Sequence, residues 1–367
     1  MSPKLSTVII NWNGMPFVQD CVRSVVSQNN AGTHEIIFVD NGGSTDGSKE
    51  FIENNFPRIK IVALPFNRKY TGGLNAGIRE AAGDFILSVA NDNILDPDLT
   101  HNLMEVMRQD PKIGCIGVQA LPMKADPRAS RPDQMYTVNI LAQNVLVRVP
   151  GWGQGVTELF YVDTNVALFR KGEDIFFDED YHYYYDEIGF TWRLRLKGYK
   201  NLHAPQAITH HLSNATTRNE DPSMRYFAYH KNRLMALLTL YQAQTLLKFL
   251  PVFLLDETAF LLWPGGWKTK AAQILPKLRA YGWIASHLGF LLKKRRQRQS
   301  ERVVPDQEIV RYMSHRVASG RYWLTRALNR LIYCYCVGVG LPTLEYYLGK
   351  GETLRFSPED QARRSPS

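Results

Sequence analysis

Several short clusters carry side chains able to hold a phosphorylated or polar ligand. Asp40 ends an apolar run and opens Asp40-Asn41-Gly42-Gly43-Ser44-Thr45-Asp46. A carboxylate at a strand end accepts hydrogen bonds from a nucleobase imide or a ribose hydroxyl, or else fixes a turn. Asn11, in Asn11-Trp12-Asn13-Gly14, ends an earlier run and is placed to help it. Arg68 and Lys69 precede Gly72-Gly73, with Asn75 following; glycines admit close backbone approach and cations offset diphosphate charge. Asn91-Asp92-Asn93 follows a fourth apolar run, and Asp92 offers one hard oxygen donor. Asp186-Glu187 is an acidic pair at the head of a helical stretch. Such a pair either complements the positive end of a helix or does proton-transfer chemistry. His210-His211 adds imidazoles that serve a structural role or ligate a metal.

The elements that must position these groups follow from the same residues. Thr7 to Ile10, Glu35 to Val39, Lys60 to Leu64 and Asp84 to Ala90 are short apolar or β-branched runs, as expected of buried strands. Helical spacing separates them: Phe17, Cys21, Val22, Val25 and Val26 after the first, Phe51 and Ile52 after the second. A Gly-rich turn and a helix over Asn75 to Ala82 follow the third. The alternation predicts an α/β fold, a doubly wound, mostly parallel sheet with flanking helices. Ligands in such sheets bind beyond the carboxyl ends of the strands, where the polar clusters fall.

The segments Val8 to Gly14, Val39 to Ser48, Asn67 to Ile78 and Ala82 to Leu87, in this order and spacing, resemble the family 2 glycosyltransferases. These are inverting enzymes of GT-A fold. The resemblance extends over residues 6–232 and is nearest the rhamnosyltransferase-like bacterial branch. It implies transfer of a hexose or deoxyhexose from a nucleotide-diphosphate-sugar donor, such as a dTDP- or UDP-sugar, to a glycan or lipid-linked acceptor. Asn11, Asp40, Asn41, Lys69, Gly72, Gly73, Asn75, Asn91 and Asp92 are then the donor-binding residues. Asp92 and His211 hold a divalent cation, Mg²⁺ or Mn²⁺. Glu187 is the base that deprotonates the acceptor hydroxyl, with Asp186 the alternative. This chain has Ala90 and Gly189 where the family often carries acids, and Glu187 where it usually carries Asp. Trp152, Tyr161, Tyr181, Tyr183, Tyr184 and Tyr185 are candidates to stack on acceptor sugars.

The 367 residues carry a net charge of +9, which suits a phosphorylated ligand or an anionic surface. The division expected is a catalytic domain over 1–223, a basic helical region over 224–356 and a disordered tail over 357–367. The run Lys293 to Arg298 adjoins helices bearing Trp263, Trp267, Trp283 and Phe290. Basic residues beside interfacial aromatics suit an anionic membrane surface, and no nucleic-acid module is recognisable. The longest late uncharged run, Leu331 to Leu344, is too short to span a bilayer. Four cysteines without disulfide or zinc spacing fit a reducing compartment; the expected location is cytoplasmic, at the inner face of the membrane. A catalytically degenerate sugar-binding scaffold is the alternative. A nicotinamide-dependent dehydrogenase is disfavoured, because the first strand is not followed by Gly-x-Gly-x-x-Gly.

Overall fold

The computed structural model describes residues 5–29, 34–123, 134–172, 175–212, 221–262, 267–318 and 322–357. The first apolar run forms β1 (Leu5–Asn11), buried along its whole length. There follow α1 (Met15–Val26), β2 (His34–Asp40), α2 (Ser48–Asn55), β3 (Lys60–Ala63), α3 (Lys69–Glu80) and β4 (Phe85–Ala90). These strands pair in parallel in the order β3-β2-β1-β4. Strands covered by helices on both faces have no wet side, so they read as unbroken apolar runs.

One local expectation needs correcting. Residues 69–74 are not a Gly-rich turn but the first turns of α3. Gly73 is helical and lies against β1 and β2: a Cβ there would sit 2.8 Å from both Ile10 Cδ1 and Asn41 Cγ.

The chain continues through β5 (Asn93–Leu95), α4 (Leu99–Met107), β6 (Ile113–Pro122), β7 (Gln134–Val138), β8 (Asn144–Arg148), β9 (Thr157–Leu159), β10 (Val166–Arg170), α5 (Asp186–Leu196) and β11 (Lys200–His211). The sheet order becomes β3-β2-β1-β4-β10-β6-β11-β5, with β9 also on β11. Strand β10 runs antiparallel to both β4 and β6, and β11 runs parallel to β6. The start of β10 and the end of β11 therefore reach the same sheet edge as the carboxyl ends of β1, β2 and β4.

Helices α6 (Pro222–Leu240), α7 (Ala243–Leu262), α8 (Trp267–Ser286), α9 (Leu288–Ser300), α10 (Asp306–Val310), α11 (Trp323–Gly338) and α12 (Leu344–Gly349) complete the chain. They share a core with the sheet. Phe160, Tyr181 and Trp192 cluster with Met235, Tyr241 and Phe249, and Trp192 meets Phe160 and Tyr241 edge-on at 5.2 and 4.8 Å.

The basic run, expected at an anionic membrane surface, is half internal. Lys294 Nζ lies 2.6 Å from Asp178 Oδ1 and also pairs with Asp180, while Arg298 reaches Asp178 Oδ2 at 3.1 Å. Trp283 stacks on His287 at 4.2 Å. Trp263, the side chain of Trp267 and the tail from residue 358 lie outside the described residues.

Candidate active site

A cavity of about 380 Å³ opens at the shared strand edge. On one side it is lined by Asn11, Trp12, Asn41, Asn67 and Lys69, on the other by Asp163, Asn165, Tyr183, Tyr184, Asp186 and Glu187, with Asn91, Asp92 and His211 between.

The residues on the Asn11 side of the cavity form a relay across the strand ends. Asn91 Nδ2 donates to Asn11 Oδ1 at 2.6 Å, and Asn11 Nδ2 donates to Ser48 Oγ at 2.9 Å and Ser44 Oγ at 3.4 Å. Ser44 Oγ in turn donates to Asp40 Oδ1 at 2.5 Å. Asp40 is buried and does not line the cavity itself; it orients the Asn11 amide through that hydroxyl. Asn41 lines the cavity and holds the next turn, accepting from Arg68 N at 3.0 Å and donating to Lys69 O at 2.9 Å. Gly42 makes this approach feasible: its φ is +84°, and a Cβ would fall 1.9 Å from the Phe66 carbonyl carbon. Gly72, Gly73 and Asn75 do not line the cavity. Asn75 instead clamps a neighbouring segment, donating to Phe177 O and accepting from Phe177 N, both at 2.9 Å. Its side chain is fully engaged with protein.

Strand alternation selects between the two histidines. His211 pairs in register with Asn93 and His210 with Ile94, so their rings point to opposite faces. His211 Nε2 lies 3.3 Å from Asp92 Oδ2 inside the cavity, whereas His210 turns out to Asp96 at 3.2 Å. The bond to Asp92 raises the His211 pKa, outweighing partial burial.

The acidic pair heads α5. A helix N-terminus stabilises a carboxylate by only ~0.3–1 kcal/mol, and here that loses to burial. Asp186 is pushed up to about 6 by desolvation. Glu187 is held well above the ordinary carboxylate value by the same cause, with the neighbouring Asp186 and Asp163 charges adding to it. Gly189, where the resemblance often has an acid, has a packing reason: a Cβ would sit 2.4 Å from the Tyr181 ring.

The loop before the pair is strained. His182, Tyr184 and Tyr185 have φ of 60°, 56° and 72°, and Lys69 across the cavity has 63°. Such backbone persists only where its surroundings fix it. Here the buried Asn232 of α6 donates to Tyr181 O, Tyr183 O and Tyr184 O at 2.8, 2.7 and 2.8 Å. Asn232→Ala is expected to lower turnover about 100-fold at saturating donor by misplacing the pair, while donor affinity changes little. Steady-state kinetics with unaltered kcat would overturn this.

Sequence reasoning missed Asn232, Asp163, Asn165 and Trp12. Of the aromatic candidates, Tyr161, Tyr183 and Tyr184 line the cavity. Tyr181 and Tyr185 are core residues, and Trp152 stacks on His203 at 4.5 Å.

The parallel half-sheet with a cavity at its carboxyl edge is a doubly wound α/β arrangement, and its structural neighbours are glycosyltransferases of GT-A fold. Residues 6–176 match the model of glycosyl transferase family 2, and this segment is a domain of that family. An N-acetylglucosaminyltransferase of Mesorhizobium japonicum is 33% identical over 116 residues, covering 30% of this chain and 27% of that one. Poly-β-1,6-N-acetyl-D-glucosamine synthase of Staphylococcus aureus is 27% identical over 183 residues, covering 47% and 42%. The match thus spans less than half the length of these curated relatives. Among solved structures, S. aureus TarS 1–349 in complex with UDP-GlcNAc superposes with TM-score 0.52 at 14% identity over 96% of this chain and 94% of that one. GalNAc-T7 with UDP, GalNAc and Mn²⁺ gives 0.54 at 12% identity over 67% and 49%.

Proposed function

We propose that the protein transfers a sugar from a nucleotide-diphosphate-sugar donor to a hydroxyl of a glycan or lipid-linked acceptor, with inversion. The observation that carries this is the convergence of Asp92, Asp163, Asp186, Glu187, His211 and Lys69 on one cavity at the strand edge. Inversion requires a base on the acceptor side, and the buried acidic pair supplies one. Glu187 takes the acceptor proton as the new glycosidic bond forms, and Asp186 tunes its basicity. Asn11, Asn41 and Lys69 hold the nucleotide diphosphate; Tyr183 and Tyr184 offer faces to sugar rings. N-acetylglucosamine-bearing UDP donors are the first to test, given the names of the relatives.

Asp92 and His211 present an oxygen and an imidazole nitrogen, a pair that suits Mn²⁺ or Mg²⁺. Among the described residues no cluster of three or more His, Cys, Asp or Glu is disposed to hold a metal ion. Asp92 and His211 would hold such a cation together with a bound donor. When bound, such a cation neutralises charge on the departing nucleotide. Titration calorimetry should therefore show Mn²⁺ binding weakly alone and at least ~10-fold more tightly with UDP present, and Asp92→Asn should abolish that coupling. Tight Mn²⁺ binding without nucleotide would contradict this assignment.

The alternative is a sugar-nucleotide-binding scaffold. It draws on Ala90 in the cavity wall and the two-donor metal pair. The buried acidic pair behind a strained loop favours turnover, because such strain concentrates at reacting sites.

A further inference from the structure

The charged residues of α7 face inward and its leucines face water. Asp256 and Glu257 lie 3.7 and 3.1 Å from the buried Arg233, Glu257 also meets Lys277 at 2.5 Å, and Lys248 Nζ donates to Val339 O at 2.7 Å. The outer face carries Leu247, Leu250, Leu254, Leu255 and Leu261, each 45–70% exposed, with no charge among them. A helix facing water has the opposite arrangement. Helix α11 is tied to α7 by Tyr335 Oη donating to Lys248 O at 2.6 Å. Its outer face exposes Trp323, Leu324 and Leu331 beside Arg326 and Arg330, and α11 contains no acid.

We propose that the outward faces of α7 and α11 lie in the plane of an anionic lipid surface. Leucine and tryptophan side chains would enter the acyl boundary, with Arg326 and Arg330 at the headgroups. An in-plane arrangement fits, since no helix among the described residues is long and apolar enough to cross a membrane. Cations without acids on α11 select an anionic surface. This places the docking face on α7 and α11 instead of the run Lys293 to Arg298, which is partly consumed by internal ion pairs. It does not depend on the sugar-transfer reading.

The test is co-sedimentation of the full chain with phosphatidylcholine vesicles, with and without phosphatidylglycerol. The expected result is binding to the anionic vesicles, weakened by salt, and reduced at least ~10-fold in L250E/L254E. That variant should keep its thermal midpoint to within a few degrees, because both side chains are half exposed on the outer face. Failure to sediment with anionic vesicles, or equal binding by the variant, would overturn the proposal. So would a concentration-dependent dimer, seen by light scattering, that the same variant dissolves, since the face would then belong to a second copy. UDP-sugar hydrolysis measured on the same samples is independent. Vesicle binding without hydrolysis would sink only the transferase reading, and hydrolysis without vesicle binding only this one.

Discussion

Glu187→Gln should lower sugar-transfer turnover by roughly 10²–10⁴-fold, the usual contribution of a positioned general base, while UDP-sugar affinity stays within about twofold. Gln keeps the shape and removes only the capacity to accept a proton. Burial and the Asp186 and Asp163 charges raise the Glu187 pKa, and burial lifts Asp186 to about 6. A base works only when ionised, and Glu187 is held well above the ordinary carboxylate value, so wild-type turnover should fall as pH drops through that raised pKa and recover above it. Asp186→Asn removes one like charge and should move that rise to lower pH. Stability carries its own sign. Carboxyls whose folded pKa lies above the unfolded value oppose folding once pH exceeds the unfolded value, about 4. Glu187→Gln relieves that opposition, so its thermal midpoint at pH 7 should equal or exceed wild type. A crippled variant that is also less stable would point to a structural role.

Asp178→Ala should lower the unfolding free energy by about 3 kcal/mol, because it strands buried cations. Asp178 is 7% exposed and faces Lys294 and Arg298 of α9. It also receives Asp180 N at 3.2 Å, capping the turn that leads into the acidic pair. The effect sits at the low end of the range for buried pairs because Lys294 keeps Asp180 and Arg298 keeps Glu301 at 3.2 Å. Burial pushes the Asp178 pKa up, but Lys294 and Arg298 outweigh it and hold it below the usual range. Its contribution is therefore complete above about pH 4 and fades as pH falls through the depressed folded value. Urea titrations at pH 7 and pH 3 should show a smaller wild-type-to-variant gap at pH 3. Equal stability at pH 7 would mean the cluster is not coupled to folding.

The parallel half of the sheet was legible because β1, β2 and β4 are buried on both faces and leave contiguous apolar runs. Strand β5 was not, being three residues long and defined by pairing with β11. Asp163 and Asn165 escaped notice for a topological reason. Strand β10 is antiparallel, so its polar lead-in reaches the carboxyl edge of the sheet from the other end. The available signal was a polar Asp163-Thr164-Asn165 immediately before an apolar strand. Asn232 reads locally as one more polar helix position. The burial of Lys231, Asn232 and Arg233 appears only in the fold. The inward half of the basic run was not legible because composition does not show direction: the acid that Lys294 meets, Asp178, lies 116 residues earlier. Asp92, His211, Asp186 and Glu187 were found in sequence, and the fold brings all four to one cavity.

The most direct measurement is release of free nucleotide from UDP-N-acetylglucosamine and other UDP-, dTDP- and GDP-sugars, with and without Mn²⁺, by the wild-type chain and Glu187→Gln in parallel. A glycosyltransferase working through this cavity releases nucleotide from at least one donor, faster with the cation and far more slowly in the variant. No release from any donor, or release unaffected by Glu187→Gln, would contradict it.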